Sequence, residues 1–220
     1  MKIIQKLILV LVVILFPLFV VTCSIRVALT PIYVNMEYNR PGFPADAYGF
    51  TTADRLQWGQ YSIDYLLGKV SDRDFTNQIL PDGTPLFNAR ELSHMQDVRD
   101  LSLVVLQIWK GLCLFYALAL LASLAWKWPG QFLRALRDGA LATIALIAAI
   151  LTAVWMNFNL LFTMFHQLFF EGDSWLFYLT DNLIRLFPLT FWQDLFIFIG
   201  ACTILFCLIP ILLSLSRKHS

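Results

Sequence analysis

Four long stretches of this chain carry almost no charge. Each is long enough to cross the hydrocarbon core of a bilayer, which takes about 20 helical residues. They cover residues 7–29, 101–126, 140–164 and 195–215. The second contains one charge, Lys110, whose long stem suits snorkelling toward an interface. Only helices suit such segments, because a lone strand leaves its backbone N–H and C=O groups unpaired in lipid. The expected fold class is an all-α membrane protein. Residues 1–220 form one integral membrane domain with four transmembrane helices and a small extracellular cap, mixed and with room for short strands.

Composition supports the same class. The chain is 59% hydrophobic and 14% charged, where soluble domains average about 25% charged residues. A net charge of +1 gives no reason to expect nucleic acid as a partner. Cys23, Cys113, Cys202 and Cys207 all fall in apolar runs with no CxxC pair, so they read as small buried residues. Cys23 follows Val20-Val21-Thr22, which resembles a lipoprotein cleavage box. However, Thr22 fits that box poorly and the apolar run continues beyond Cys23, so an uncleaved first helix is expected.

Basic residues set the expected orientation. Lys2 and Lys6, then Lys127, Arg134 and Arg137, then Arg217 and Lys218 fall on one side of a four-span arrangement. Only Asp138 of the fifteen acids joins them, which leaves fourteen on the other side. The chain is therefore expected to be multi-pass in a cell membrane, with both termini in the cytoplasm. The cap, about 30–98, and a second segment, 165–192, then lie outside. In the cap, Pro41-Gly42-Phe43-Pro44 reads as an extended loop and Thr51 with Asp54 as a helix capping box. Gly68 reads as a helix stop and Pro81-Asp82-Gly83 as a turn.

Three histidines are present. His219 lies in the basic tail. His94 lies one to two turns before the second span, on a helical pattern opening at Asn88-Ala89, and His166 lies at the end of the third span. The second helix runs inward and the third outward, so the two rings reach a similar depth at the outer interface. Glu91, His94 and Asp97 recur every three residues and are expected to share a face. There a carboxylate can orient the imidazole. The plainer reading is that histidines and aromatics simply favour a membrane interface.

The runs Glu91-Leu92-Ser93-His94-Met95-Gln96-Asp97-Val98 and Phe165-His166-Gln167-Leu168-Phe169-Phe170, with Trp175 and Leu183-Ile184-Arg185-Leu186-Phe187-Pro188, are recognisable. They resemble a bacterial four-span membrane family that includes the lipoprotein intramolecular transacylases. The resemblance covers nearly the whole chain. Asp46-Ala47-Tyr48-Gly49-Phe50 looks like a branch within that family. The resemblance implies an acyltransferase acting on diacylated lipoproteins. The sn-2 acyl chain would move from the glyceryl oxygen to the α-amino group of the N-terminal cysteine, giving a lyso-form lipoprotein. It also implies that His94 and His166 are the catalytic pair.

The chemistry is consistent with two imidazoles and no cofactor or metal. Ester and amine sit on one molecule, and a site that holds them together can recover about 7–11 kcal/mol in the best cases. A base must take the amine proton, and a donor must support the oxyanion and protonate the leaving oxygen. By helix-dipole arguments His94, near a helix start, is expected to be the base, with Asp97 and Glu91 supporting it. His166, at a helix end, is expected to be the donor. Phe165, Phe169, Phe170 and Trp175 are expected to line the substrate pocket and exclude water. Three other readings compete. One is a redox protein whose two histidines ligate haem. Another is a non-catalytic membrane subunit. The third is a zinc hydrolase that adds Glu171 or Asp173, although no HExxH-type spacing is present.

Overall fold

Eight helices account for the regular structure of the computed structural model, which describes residues 2–216. They are α1 (Lys2–Ala28), α2 (Pro31–Asn39), α3 (Thr52–Leu66), α4 (Asp72–Thr76), α5 (Ala89–Ala125), α6 (Pro129–Phe169), α7 (Asn182–Leu186) and α8 (Leu189–Ser216). Among the described residues there is no sheet, only an isolated antiparallel bridge between Ile79 and Pro85. The protein is thus all-α, and α1, α5, α6 and α8 are each long and apolar enough to cross a membrane. Arg217, Lys218 and His219 lie outside the described residues.

The middle two spanning helices are longer than a bilayer requires. At about 1.5 Å per residue, the 37 residues of α5 extend roughly 55 Å, and the 41 residues of α6 also exceed the number needed to span. A hydrocarbon core is only about 30 Å thick. His94 and His166 sit on these extensions.

The chain forms two compact units. The first comprises the chain up to Arg26, Leu106–Ala153 and the chain from Ile197 onward. Its core joins Val12, Phe16 and Val20 of α1 to Tyr116 of α5 and to Phe132 and Ala135 of α6. Tyr116 stacks on Phe19 at 4.3 Å and donates to the Val12 carbonyl at 2.8 Å. Ser24 and Thr203 share a buried hydrogen bond of 2.9 Å, the kind of polar contact that joins helices in lipid. Gly139 allows α1 to approach closely: a Cβ there would sit 2.6 Å from Cβ of Phe16. The four cysteines are free.

The second unit comprises Val27–Val105 and Val154–Phe196. Its helices begin and end on local signals. Thr51 Oγ1 accepts from the Asp54 N–H, and the Asp54 carboxylate accepts from the Thr51 N–H, so α3 opens on a reciprocal capping box. Past its end, Gly68 takes a left-handed φ of +72°. Tyr33 and Tyr38 of α2 donate to the Phe191 and Leu186 carbonyls at 2.7 and 2.8 Å. These bonds anchor α2 to the end of α7 and the first turn of α8.

A buried charge cluster holds the cap loop. Asp46 accepts from Arg185 at 2.9 Å and from the Phe50 N–H at 2.8 Å, with Arg55 4.0 Å away. Burial pushes the Asp46 carboxyl up, but Arg185, the Phe50 N–H and Arg55 together outweigh it. They hold the carboxyl below its usual range.

Candidate active site

Both histidines owe their position to a capped helix. At the start of α5, Asn88 Oδ1 accepts from the N–H groups of Arg90 and Glu91 at 3.0 and 3.1 Å. Glu91 returns the bond, its Oε2 accepting from the Asn88 N–H at 2.6 Å. The other Glu91 oxygen accepts from the Leu183 N–H at 2.6 Å. A fully buried carboxylate therefore ties the first turn of α5 to α7, and His94 follows one turn later.

On α6 the controlling residue is Asn157. Its backbone leaves the helix (φ −160°, ψ 85°), and its side-chain oxygen accepts from the Leu160 N–H at 3.0 Å. Asn157 thus acts as an internal N-cap for the segment that follows it. His166 lies on this final segment. Its Nδ1 is 2.8 Å from the Phe162 carbonyl, which can only accept, so Nδ1 carries the hydrogen. In the neutral ring Nε2 then bears the lone pair.

The two imidazoles, 72 residues apart in sequence, face each other with centroids 5.8 Å apart and planes 25° from parallel. Both are buried, at 6% and 7% exposure. His94 Nδ1 is also buried and makes no hydrogen bond among the described residues. An unpaired buried polar atom costs about 1–3 kcal/mol. That makes this nitrogen available to a bound polar group.

Aromatic rings enclose the pair. Phe170 lies 5.0 Å from His94 and 5.5 Å from His166. Trp175 is 4.9 Å from His166, and Phe165 is 5.6 Å from it. Two further rings were not singled out in the sequence. Phe162 is 4.1 Å from His166 and Phe177 is 5.4 Å from His94. Phe162 is four residues before His166, a spacing that would have revealed it. Phe177 lies in the irregular stretch between α6 and α7, where no periodicity points to it.

Not every expected residue joins the site. Asp97 is exposed and makes no hydrogen bond or ion pair with His94. Each three-residue step of about 300° drifts around the helix, so Asp97 lies about 120° around from the buried Glu91 and is exposed. Glu91 is buried but serves backbone N–H groups rather than the imidazole. Phe169 is 48% exposed, and its ring meets Phe165 at 4.9 Å rather than a histidine.

The geometry does not suit a macrocycle held between the rings, because Phe170 contacts both histidines where its plane would lie. Among the described residues, no three His, Cys, Asp or Glu side chains gather as a metal site. Glu171 and Asp173 are exposed.

The sequence model of a family described as lipoprotein intramolecular transacylase Lit matches residues 10–192. An uncharacterised protein of Aquifex aeolicus (strain VF5) is 29% identical over 208 residues, covering 92% of this chain and 90% of its own. The in meso structure of the lipoprotein intramolecular transacylase Lit from Bacillus cereus superposes with a TM-score of 0.74 at 20% identity, over 100% of this chain and 99% of that one. A histidine-to-alanine variant of the Bacillus cereus protein gives a TM-score of 0.68 at 18% identity, over 98% and 96%.

Proposed function

This chain belongs to the lipoprotein intramolecular transacylase family, and on that premise we propose that it converts diacylated lipoproteins to the lyso form. The reaction moves the sn-2 acyl chain from the glyceryl oxygen to the α-amino group of the N-terminal cysteine. The observation that carries this reading is the pair itself: two buried imidazoles 5.8 Å apart inside an aromatic enclosure.

The amine nitrogen attacks the ester carbonyl carbon. A C–N bond forms, the C–O bond to glycerol breaks, and one proton passes from nitrogen to oxygen. His166 is the base, because the Phe162 carbonyl holds its Nδ1–H and leaves the Nε2 lone pair for the amine. His94 is the donor that supports the oxyanion and protonates the leaving glyceryl oxygen. The pair re-equilibrates after the product leaves. This division reverses the dipole-based expectation: a specific hydrogen bond to the ring decides the tautomer more directly than the dipole of the helix end.

Phe170, Phe177, Trp175 and Phe162 hold the acyl and glyceryl parts and exclude water. Hydrolysis of the same ester is the competing reaction. Glu91 is a positioning residue that acts through the α5 start. The site faces the outer side of a bacterial cell membrane and both termini face the cytoplasm, a reading supported by the distribution of basic residues.

The test is expression in a host with diacylated lipoproteins, followed by mass spectrometry of a lipoprotein N-terminal peptide. An N-acyl, monoacylglyceryl peptide is expected with wild type and not with His94→Ala or His166→Ala. Unchanged diacylglyceryl peptide, from protein shown to be folded in the membrane, overturns the reading.

A further inference from the structure

A groove of about 490 Å³ runs between α1 and the first turns of α6, within the first unit and apart from the histidines. Ligand sites commonly have volumes of about 300–1,000 Å³. One wall is aliphatic, formed by Leu9, Val10, Val13 and Ile14 of α1. The opposite rim is polar: Gln131, Arg134 and Asp138 share one face of α6. A hydrogen bond of 2.5 Å between Gln5 and Gln131 ties the two helices beside it.

The charges of this rim are uneven. Asp138 is taken up by Arg137, whose Nη2 and Nε lie 2.7 and 3.0 Å from Oδ1. Arg134 is exposed and has no carboxylate partner among the described residues. Lys2 and Lys6 at the start of α1 and Lys127 just before α6 are likewise in no ion pair there. The groove therefore offers an apolar wall with an uncompensated guanidinium at its edge.

We propose that this groove holds one anionic phospholipid, with an acyl chain along the aliphatic wall of α1 and the phosphate on Arg134. A zwitterionic lipid carries its own ammonium beside the phosphate and gains less from the unpaired cation. Basic pockets between membrane helices suit anionic headgroups for this reason. The proposal does not depend on the transacylase reading.

The test uses the full chain in nanodiscs of phosphatidylcholine doped with phosphatidylglycerol, released into native mass spectrometry. The wild-type protein is expected to retain one phosphatidylglycerol in preference to phosphatidylcholine. Arg134→Gln should reduce that occupancy about fivefold, and Arg134→Lys should largely keep it. Val10→Trp, which fills the groove at an exposed position without changing any charge, should also reduce it. Arg73→Gln, which removes a cation from α4 instead, should not. Equal retention by wild type and Arg134→Gln overturns the proposal, as does equal retention of the two lipids. Lipid-free dimers would assign the groove to a second copy and overturn it too.

Discussion

The Glu91 carboxylate and the Leu183 N–H, 92 residues apart, meet at 2.6 Å. The other oxygen of the same carboxylate caps Asn88, so one side chain joins the start of α5 to α7, one turn from His94. In Glu91→Gln only the amide oxygen can accept, and one buried N–H loses its partner at a cost of about 1–3 kcal/mol. The melting temperature in detergent should fall by about 3–10 °C, and transacylation should fall with it. A variant as stable as wild type would show that this tie contributes little.

The two histidines should respond differently to amide replacement. Asn can still donate a hydrogen bond but is no base. His166→Asn should lose about 10²–10⁴-fold in rate, and His94→Asn should lose less. The readout is the initial rate of lyso-form production on a purified diacylated lipopeptide. The opposite ranking would restore the dipole-based division of roles.

Water exclusion predicts a change in product rather than in rate alone. Phe177→Ala opens the enclosure next to His94, so free fatty acid should appear beside the transferred acyl chain. Phe169→Ala should leave both rate and products within about twofold, because its ring is half exposed and away from both histidines. Fatty-acid release measured alongside the N-acyl product separates the two. Identical product ratios for wild type and Phe177→Ala would argue against a protective enclosure.

Asp46 makes stability depend on pH in a defined direction. Its carboxyl sits below the ordinary 3.8 when folded. The stabilisation is therefore present above that value and is lost as pH falls through the folded pKa. Asp46→Asn removes the charge and leaves the partly buried Arg185 without its carboxylate, at a cost of about 1–3 kcal/mol. Thermal unfolding at pH 7 and pH 3 should show a large difference between the two proteins at pH 7 and a smaller one at pH 3. A gap that widens on acidification would contradict the ion-pair account.

Orientation can be read by labelling. In a background where the four native cysteines are Ser or Ala, Asp82→Cys should react with a membrane-impermeant maleimide on intact cells. Lys127→Cys should react only after lysis. The reverse pattern would invert the topology argued from the basic residues.

Much of this architecture was legible in the sequence. Nearly uncharged runs long enough to cross a bilayer can only be helices, so the class with four spanning helices followed from hydropathy alone. The Thr51–Asp54 box and the Asn88 start are equally local signals, because a cap needs only its own first turn. His94 and His166 were singled out by rarity and position. The 5.8 Å between them was not measurable from spacing.

The rest depended on contacts that no local pattern records. Asn157 breaks α6 where hydropathy sees one continuous span, and caps the segment that carries His166. Phe177 reaches His94 from a stretch without periodicity. Asp46 and Arg185, 139 residues apart, find each other only when α7 lies against the cap loop. Asp97 shows the limit of the local rule itself: a three-residue repeat keeps one face for a single step, and the second step carries the carboxylate into solvent. Bilayer thickness and helix pitch act along the chain, so the sequence by itself determined the spans and their caps. The enclosure around the histidines was decided by tertiary packing, because its walls come from segments whose positions depend on one another.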